Sequence, residues 1–376
     1  MKRNVDVTRR TVLKGIATAA AAGGPVWVGG RGPARAVAQA KPSKITVGAW
    51  GGLYGEAIHA AFTEPFEKAT GVKVEYVRGG DASRIAKMRA EKGRQQLDVV
   101  FGTPTSASIL SRELNGLVPL SEKAALLPSL KDLPATTHDP KIWTEVAVPP
   151  WTYAWTLVYR TDKIDAGWAK TVDSWHAVFD PKLKKKVGWP NITWGPGWGL
   201  TTLAMMGGAA TVESGKPQDV APGWALLPKM VPQVLTFWDG DDKAEQLISS
   251  GETWITIRST FENSLFRKKG LPVDAFTNLK EGMIATNETI SIVRSGDAAR
   301  EDMAARYLNT ALEMGPQAKL AEYFFTPINP KVKVPEPLAA QLLTREQVDK
   351  LNHFDAVWMG TQIDKWTEQW SKAIAS

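Results

Sequence analysis

The hydrophobic period of this chain switches repeatedly between Lys44 and Phe101, and that switching narrows the possible folds more than any other feature. Lys44-Ile45-Thr46-Val47-Gly48-Ala49-Trp50 is a β-branched run ending in the turn Gly51-Gly52-Leu53-Tyr54-Gly55, which reads as a strand entering a tight turn. Ile58, Ala61, Phe62, Phe66 and Ala69 then recur at helical spacing as far as Gly71, a plausible helix stop. Pro65 inside that stretch predicts a kink or a break, because proline has no N–H to give and its ring clashes with the preceding turn. Val72, Val74 and Tyr76 alternate with Lys73 and Glu75 as a half-buried strand, Ile85 and Met88 predict a helix, and Leu97 to Phe101 reads as a buried strand. Strand, helix, strand, helix, strand predicts a parallel α/β sheet.

A second α/β unit is expected after Val146-Ala147-Val148-Pro149-Pro150. Trp155 to Tyr159 and Val187 to Trp189 read as strands, Pro190 to Leu200 as a Gly/Trp loop, and Thr201 to Met206 as a helix. Leu247 to Ile257 runs from a helix end into a strand, and later helices are predicted over Ala298 to Leu312 and Val357 to Ile374. Ligands of open parallel sheets sit beyond the carboxyl ends of the strands. That rule gathers Trp50 to Gly55, Gly102 to Ser106, Pro190 to Trp198 and Arg258 to Glu262 near one cleft.

The first forty residues read differently. Thr8-Arg9-Arg10-Thr11-Val12-Leu13-Lys14 precedes small apolar residues from Gly15 to Gly24, and Ala36-Val37-Ala38 and Ala38-Gln39-Ala40 supply small-residue cleavage positions. This order is that of an export signal and resembles the twin-arginine type, with cleavage near Ala38 or Ala40 and a periplasmic destination. Gly23, Gly24 and Pro25 interrupt the apolar stretch, which argues against a spanning anchor of about 20 apolar residues. Residues 1–40 hold seven basic residues and one acid, so the balance falls from 46 basic against 39 acidic to 39 against 38 beyond them. That near-neutral remainder lacks the basic excess expected of a nucleic-acid binder. The remaining 336 residues exceed what one core usually serves, so two lobes are expected. With no cysteine, neither disulfides nor thiolate chemistry is available.

The chain beyond Lys44 resembles the periplasmic binding proteins of ABC importers in the spermidine/putrescine-binding group. The segments that carry the likeness are Ala49-Trp50-Gly51 with Phe66 to Val74, Leu97 to Val100 with Ser106 to Leu110, Asp173-Ser174-Trp175, Ser250-Gly251-Glu252 and Lys280-Glu281-Gly282. The resemblance implies an α/β, two-lobed periplasmic-binding-protein fold, type II-like, with crossing hinge strands. Residues 41–148 with 260–326 are the expected first lobe, and 149–259 with 327–376 the second. It also implies a monomer that takes a small-molecule solute without a cofactor and presents it to a permease in the inner membrane.

Carried over residue by residue, Trp50 matches the group's ligand-stacking aromatic, Ser106 a polar contact after the second strand, and Glu262 and Glu288 two acids that grip ammonium groups. Each acid could equally be a solvated surface charge. The group's aromatic three residues before the first acid is Ser259 here, preceded by Arg258, and Trp198 stands where another acid is expected. Arg258 in the cleft would repel a diamine and hold a carboxylate or phosphonate through its planar fork; as a structural residue it would form a lobe-crossing ion pair. The expected solute is therefore an amine, either polyamine-like or zwitterionic. Trp194 and Trp198, in a Gly-rich loop, are candidate ligand contacts, with core packing the alternative. Tyr54 is a candidate hydroxyl donor, and Gly51 a backbone contact within a turn that lacks the ending of a phosphate loop.

Competing classes are weaker. A secreted hydrolase would need paired carboxylates around a sugar bond or a Ser-His-Asp set, and His59, His138, His176 and His353 adjoin no serine elbow. Ferric-iron binding would call for clustered tyrosines, whereas Tyr323 is followed by Phe324 and Phe325. Sugar binding is a further alternative, and no metal site is expected.

Overall fold

A computed structural model describes residues 41–134, 145–195, 197–209, 219–286 and 288–375. The expected export signal, with Arg9, Arg10, Ala38 and Ala40, lies outside these residues, as does His138.

Among the described residues, eleven strands are arranged in two sheets. In chain order they are β1 (Lys44–Ala49), β2 (Lys73–Arg78), β3 (Val99–Gly102), β4 (Ala147–Val148), β5 (Ala154–Arg160), β6 (Val187–Pro190), β7 (Val234–Trp238), β8 (Ile255–Ser259), β9 (Val273–Ala275), β10 (Ile284–Ala285) and β11 (Thr289–Ile292). The first sheet has the order β2-β1-β3-β11-β4, with β1 parallel to β2 and β3 and with β11 antiparallel to β3 and β4. The second has the order β10-β5-β8-β6-β7, with β9 also on β5; β6 is parallel to β7 and β8, and β5 runs against β8. The α/β architecture follows the predicted alternation, since β1, β3, β5, β6 and β8 fall on the β-branched runs.

Helix ends follow local chemistry. Gly71 and Gly251 close helices with φ of 69° and 79°, a left-handed conformation that glycine adopts without Cβ strain. Pro65 does not end the helical run, but an irregularity precedes it. One π-helical turn, His59–Thr63, precedes the segment Glu64–Thr70, and Pro65 sits in the first turn of that segment. There its missing N–H and its ring are accommodated.

The crossing between sheets departs from the expected lobe boundary. The sequence places the return to the first lobe after Ser259, but the helix Thr260–Lys268 leads to β9 and β10, which pair with β5 in the second sheet. The chain rejoins the first sheet only at β11, after Ala285. The run Arg258 to Glu262 is thus a strand-to-helix turn inside one half. Among the described residues, the two halves are connected at Pro149 to Tyr153, at Thr286 and Glu288, and at Phe325 to Ile328. Thr152 and Thr326 exchange backbone hydrogen bonds of 2.9 Å, and Thr286 N–H donates to Tyr153 C=O at 3.1 Å. Trp151, fully buried beside them, stacks on Phe101 at 5.8 Å and Phe62 at 6.1 Å and packs on Phe325 at 4.9 Å. An aromatic packed this way is worth about 3 to 5 kcal/mol against alanine, so the crossing region is anchored firmly to the first sheet.

Candidate functional site

Glu288 lies on the second connecting segment, 9% exposed. Its carboxylate accepts hydrogen bonds from Trp151 Nε1 and, at 2.8 Å, from Tyr153 Oη, both on the first connecting segment. Tyr153 and Tyr54 hydroxyls pair at 3.0 Å, which ties the turn after β1 to the same point. Two neutral donors do not offset burial of a charge. Burial, with Asp81 and Asp241 adding negative potential, outweighs the two hydrogen bonds and pushes the Glu288 carboxyl up to about 8. Tyr54, shielded from water and facing Glu288 and Glu262, is likewise held well above the usual phenol range.

On the first-sheet side, β2 ends at Gly79-Gly80 and a helix begins at Asp81. Asp81 accepts from Thr103 N–H at 3.0 Å, Thr103 Oγ1 at 2.8 Å and Arg84 Nη2 at 2.6 Å. Arg84, 2% exposed, also donates to Gly79 C=O. Its guanidinium carbon stands 4.9 Å from the centroid of the Trp50 ring. Trp50, half-buried, adjoins Tyr54 at 5.7 Å and Phe101 at 6.3 Å.

The second-sheet side repeats the arrangement. β7 ends before Asp239-Gly240, and a helix begins at Asp241. Asp241 accepts from Arg258 Nη1 at 2.9 Å, Glu262 accepts from Arg258 Nη2, and Arg258 lies 6.0 Å from the Trp155 ring. Glu262 also accepts from Ser259 Oγ at 2.5 Å and Ser259 N–H at 3.0 Å in a capping box. Burial of Arg258 favours its neutral form, but the two carboxylates outweigh that and raise its pKa further. Each half therefore carries an Asp–Arg–Trp unit at its strand ends, and Glu288 stands between them.

Several sequence candidates meet here. Trp50, Tyr54, Arg258, Glu262 and Glu288 share one electrostatic neighbourhood. Gly51 is the exposed residue before the helix Gly52–Ile58. The buried Ser106 hydroxyl donates to Thr103 C=O at 2.8 Å and accepts from Thr103 N–H at 2.9 Å, so it serves a helix cap with its only proton. Trp198, 9% exposed, packs on Phe354, Trp155 and Trp194, as its core-packing alternative would have it. Trp194, half-buried, meets Trp155 and Trp238 edge-on, each at 4.9 Å.

Arg258 needs the largest correction. Both of its partners belong to the second-sheet half, so the ion pair does not cross lobes, and two carboxylates already occupy its fork. Asp81, Arg84, Asp241, Trp151, Tyr153 and Trp155 were not among the expected contacts. The steps Gly80-Asp81 and Gly240-Asp241, each just after a strand, were the available signal. Across the cluster, four acidic side chains (Asp81, Asp241, Glu262, Glu288) meet two guanidinium groups (Arg84, Arg258), so that with Glu288 protonated the acids still outnumber the cations. Among the described residues no set of three or more His, Asp or Glu is placed to hold a metal ion.

Comparison with known proteins bears on this geometry. Residues 61–343 match the model of the bacterial extracellular solute-binding protein family. No curated protein matches the chain in sequence. Among solved structures, an ABC transporter from Clostridium perfringens superposes with a TM-score of 0.70 at 20% identity, covering 88% of this chain and 99% of that one. An ABC transporter substrate-binding protein from Bradyrhizobium japonicum gives 0.70 at 22% identity with the same coverage. A periplasmic binding protein of A. tumefaciens R10 in complex with agropinic acid gives 0.66 at 20%, covering 89% and 99%. At these identities the likeness establishes a shared fold.

Proposed function

The chain belongs to the bacterial extracellular solute-binding protein family, and from that premise we propose that it captures a small amine-bearing solute and delivers it to the permease of an ABC importer. In this reading the exported protein works as a monomer in the periplasm. The solute bridges the two halves and stabilises their closed arrangement, which the permease recognises, and the solute leaves unchanged. Fold neighbours described as ABC transporter components support the importer partner. The likeness to the spermidine/putrescine-binding group rests on the sequence segments quoted above.

Glu288 carries the amine assignment. Among the described residues the Glu288 carboxyl, buried at the junction of two connecting segments, is hydrogen-bonded only to the neutral donors Trp151 and Tyr153, and the Arg84 guanidinium acts on it without a direct bond. An ammonium group supplies that direct bond, donating to the carboxylate and favouring its ionised form. One fold neighbour is described in complex with agropinic acid, so the amine reading rests on the side chains of this chain and not on the fold.

One observation favours a zwitterionic solute as a second reading. The Nε atoms of Arg84 and Arg258 are buried with no hydrogen-bond partner among the described residues, and either could donate to a carboxylate. A thermal-shift series separates the readings. Putrescine is expected to raise the melting temperature more than γ-aminobutyrate, with glutarate inert. A larger shift with γ-aminobutyrate would favour the zwitterion, and a shift with glutarate alone would refute the amine assignment. Mass spectrometry of the recovered solute, expected to be unaltered, tests the absence of turnover.

A further inference from the structure

We propose that Arg84 is a specificity-determining residue: it occupies the cation seat on Trp50 with the chain's own guanidinium, so the site selects amines that carry N–H groups and rejects quaternary ammonium ions. The inference deepens the amine-binding reading and rests on it for the identity of the site.

A half-buried tryptophan beside an acidic cleft is the usual receptor for a ligand cation, because the electron-rich ring face attracts positive charge. Here one face of the Trp50 ring is filled. The Arg84 guanidinium lies 4.9 Å from the Trp50 centroid. It is fixed there by Asp81 at 2.6 Å and by Gly79 C=O, and it is only 2% exposed. A built Cβ on Gly48 would stand 3.1 Å from Arg84 Cδ, so the side-chain stem is confined as well. The ring's other neighbours are Tyr54 and Phe101. The second half repeats the arrangement more loosely, with Arg258 held between Asp241 and Glu262 at 6.0 Å from Trp155.

The consequence is chemical. With one face of Trp50 taken, an incoming cation has less of the ring to use and depends more on Glu288, whose oxygens accept hydrogen bonds. Primary and secondary ammonium groups can donate to that carboxylate. A quaternary ammonium has no N–H and depends on aromatic faces, so it gains little. Arg84 thereby turns a site with the materials of an aromatic cage into one that reads N–H donors.

The test is chemical rescue, read by melting temperature without any native solute. Arg84→Ala is expected to melt below the parent. Methylguanidinium in the millimolar range should restore most of that loss, with an affinity roughly tenfold above any shown by the parent, the ratio supported by a desolvated cation–π contact. Sodium chloride at equal ionic strength should not do so, and Arg84→Ala/Trp50→Leu should lose the rescue. If methylguanidinium rescues no better than salt, or rescues the double variant equally, the seat on Trp50 is not what Arg84 fills. Should Arg84→Ala fail to fold, the parent still decides: tetramethylammonium is expected to leave its melting temperature unchanged, and a saturable shift would overturn the proposal. Failure of putrescine to bind the parent would count against the amine reading and leave the rescue result intact.

Discussion

Raising the pH from about 5 to about 8 is expected to lower the stability of the folded protein by about 3 to 4 kcal/mol through Glu288 alone. The folded carboxyl titrates near 8 against 4.5 for an unhindered glutamate. Between those values the folded protein holds a proton that the unfolded chain releases, so the contribution is complete below 4.5 and is lost as pH rises through 8. Glu288→Gln keeps one oxygen to accept from Trp151 Nε1, turns its amide NH2 towards the Tyr153 hydroxyl, which can accept, and cannot ionise. Urea unfolding of parent and variant at several pH values is the measurement. The parent's stability should fall towards and past that of Glu288→Gln as pH rises, whereas parallel curves would show that Glu288 does not carry a buried proton. The same substitution should abolish amine binding, since the amide has no charge to attract the ammonium.

The second large effect is expected at Arg258. Arg258→Met should destabilise the fold by about 3 to 5 kcal/mol, the range for removing one partner of a buried ion pair. Arg258 is 1% exposed, and the Glu262 side chain beside it 12%. Burial already raises the Glu262 pKa against the pull of Arg258, with Asp241 opposing ionisation further. Without the guanidinium, Glu262 must take up a proton or remain as an uncompensated charge. Arg258→Met/Glu262→Gln should recover a large part of the loss, because both charges then leave together. Urea unfolding of the single and double variants measures this. Unchanged stability in Arg258→Met, with loss of affinity only for carboxylate-bearing solutes, would instead put Arg258 in contact with the solute.

The sequence exposes this molecule unevenly. The alternation from Lys44 to Phe101 is legible because β1 and β3 are buried runs separated by helices with regular apolar spacing. The return to the first sheet is not, because β10 has two residues and β11 has four, too few to show a period. Arg258 to Glu262 reads as a strand end, and β8 does end at Ser259, yet one of the two carboxylates that neutralise Arg258 stands seventeen positions earlier at Asp241. Side-chain pairing at that separation depends on how β7 and β8 flank β6, which no local pattern encodes. Asp81 and Asp241 look like ordinary helix starts. Only when Arg84 and Arg258 are seen on Trp50 and Trp155 do they become two copies of one device. Glu288 was a candidate through family likeness, but its burial depends on Trp151 and Tyr153, more than a hundred residues earlier.

The most direct test of the account is calorimetric titration with putrescine at about pH 7 in two buffers of unlike ionisation enthalpy. If an ammonium seats on Glu288, the carboxyl must give up the proton it holds at that pH, so binding should release close to one proton per protein. The apparent enthalpies should then differ by nearly the full difference between the buffers. Tight binding with the same enthalpy in both buffers would contradict the account, because the cation would be neutralised somewhere other than Glu288.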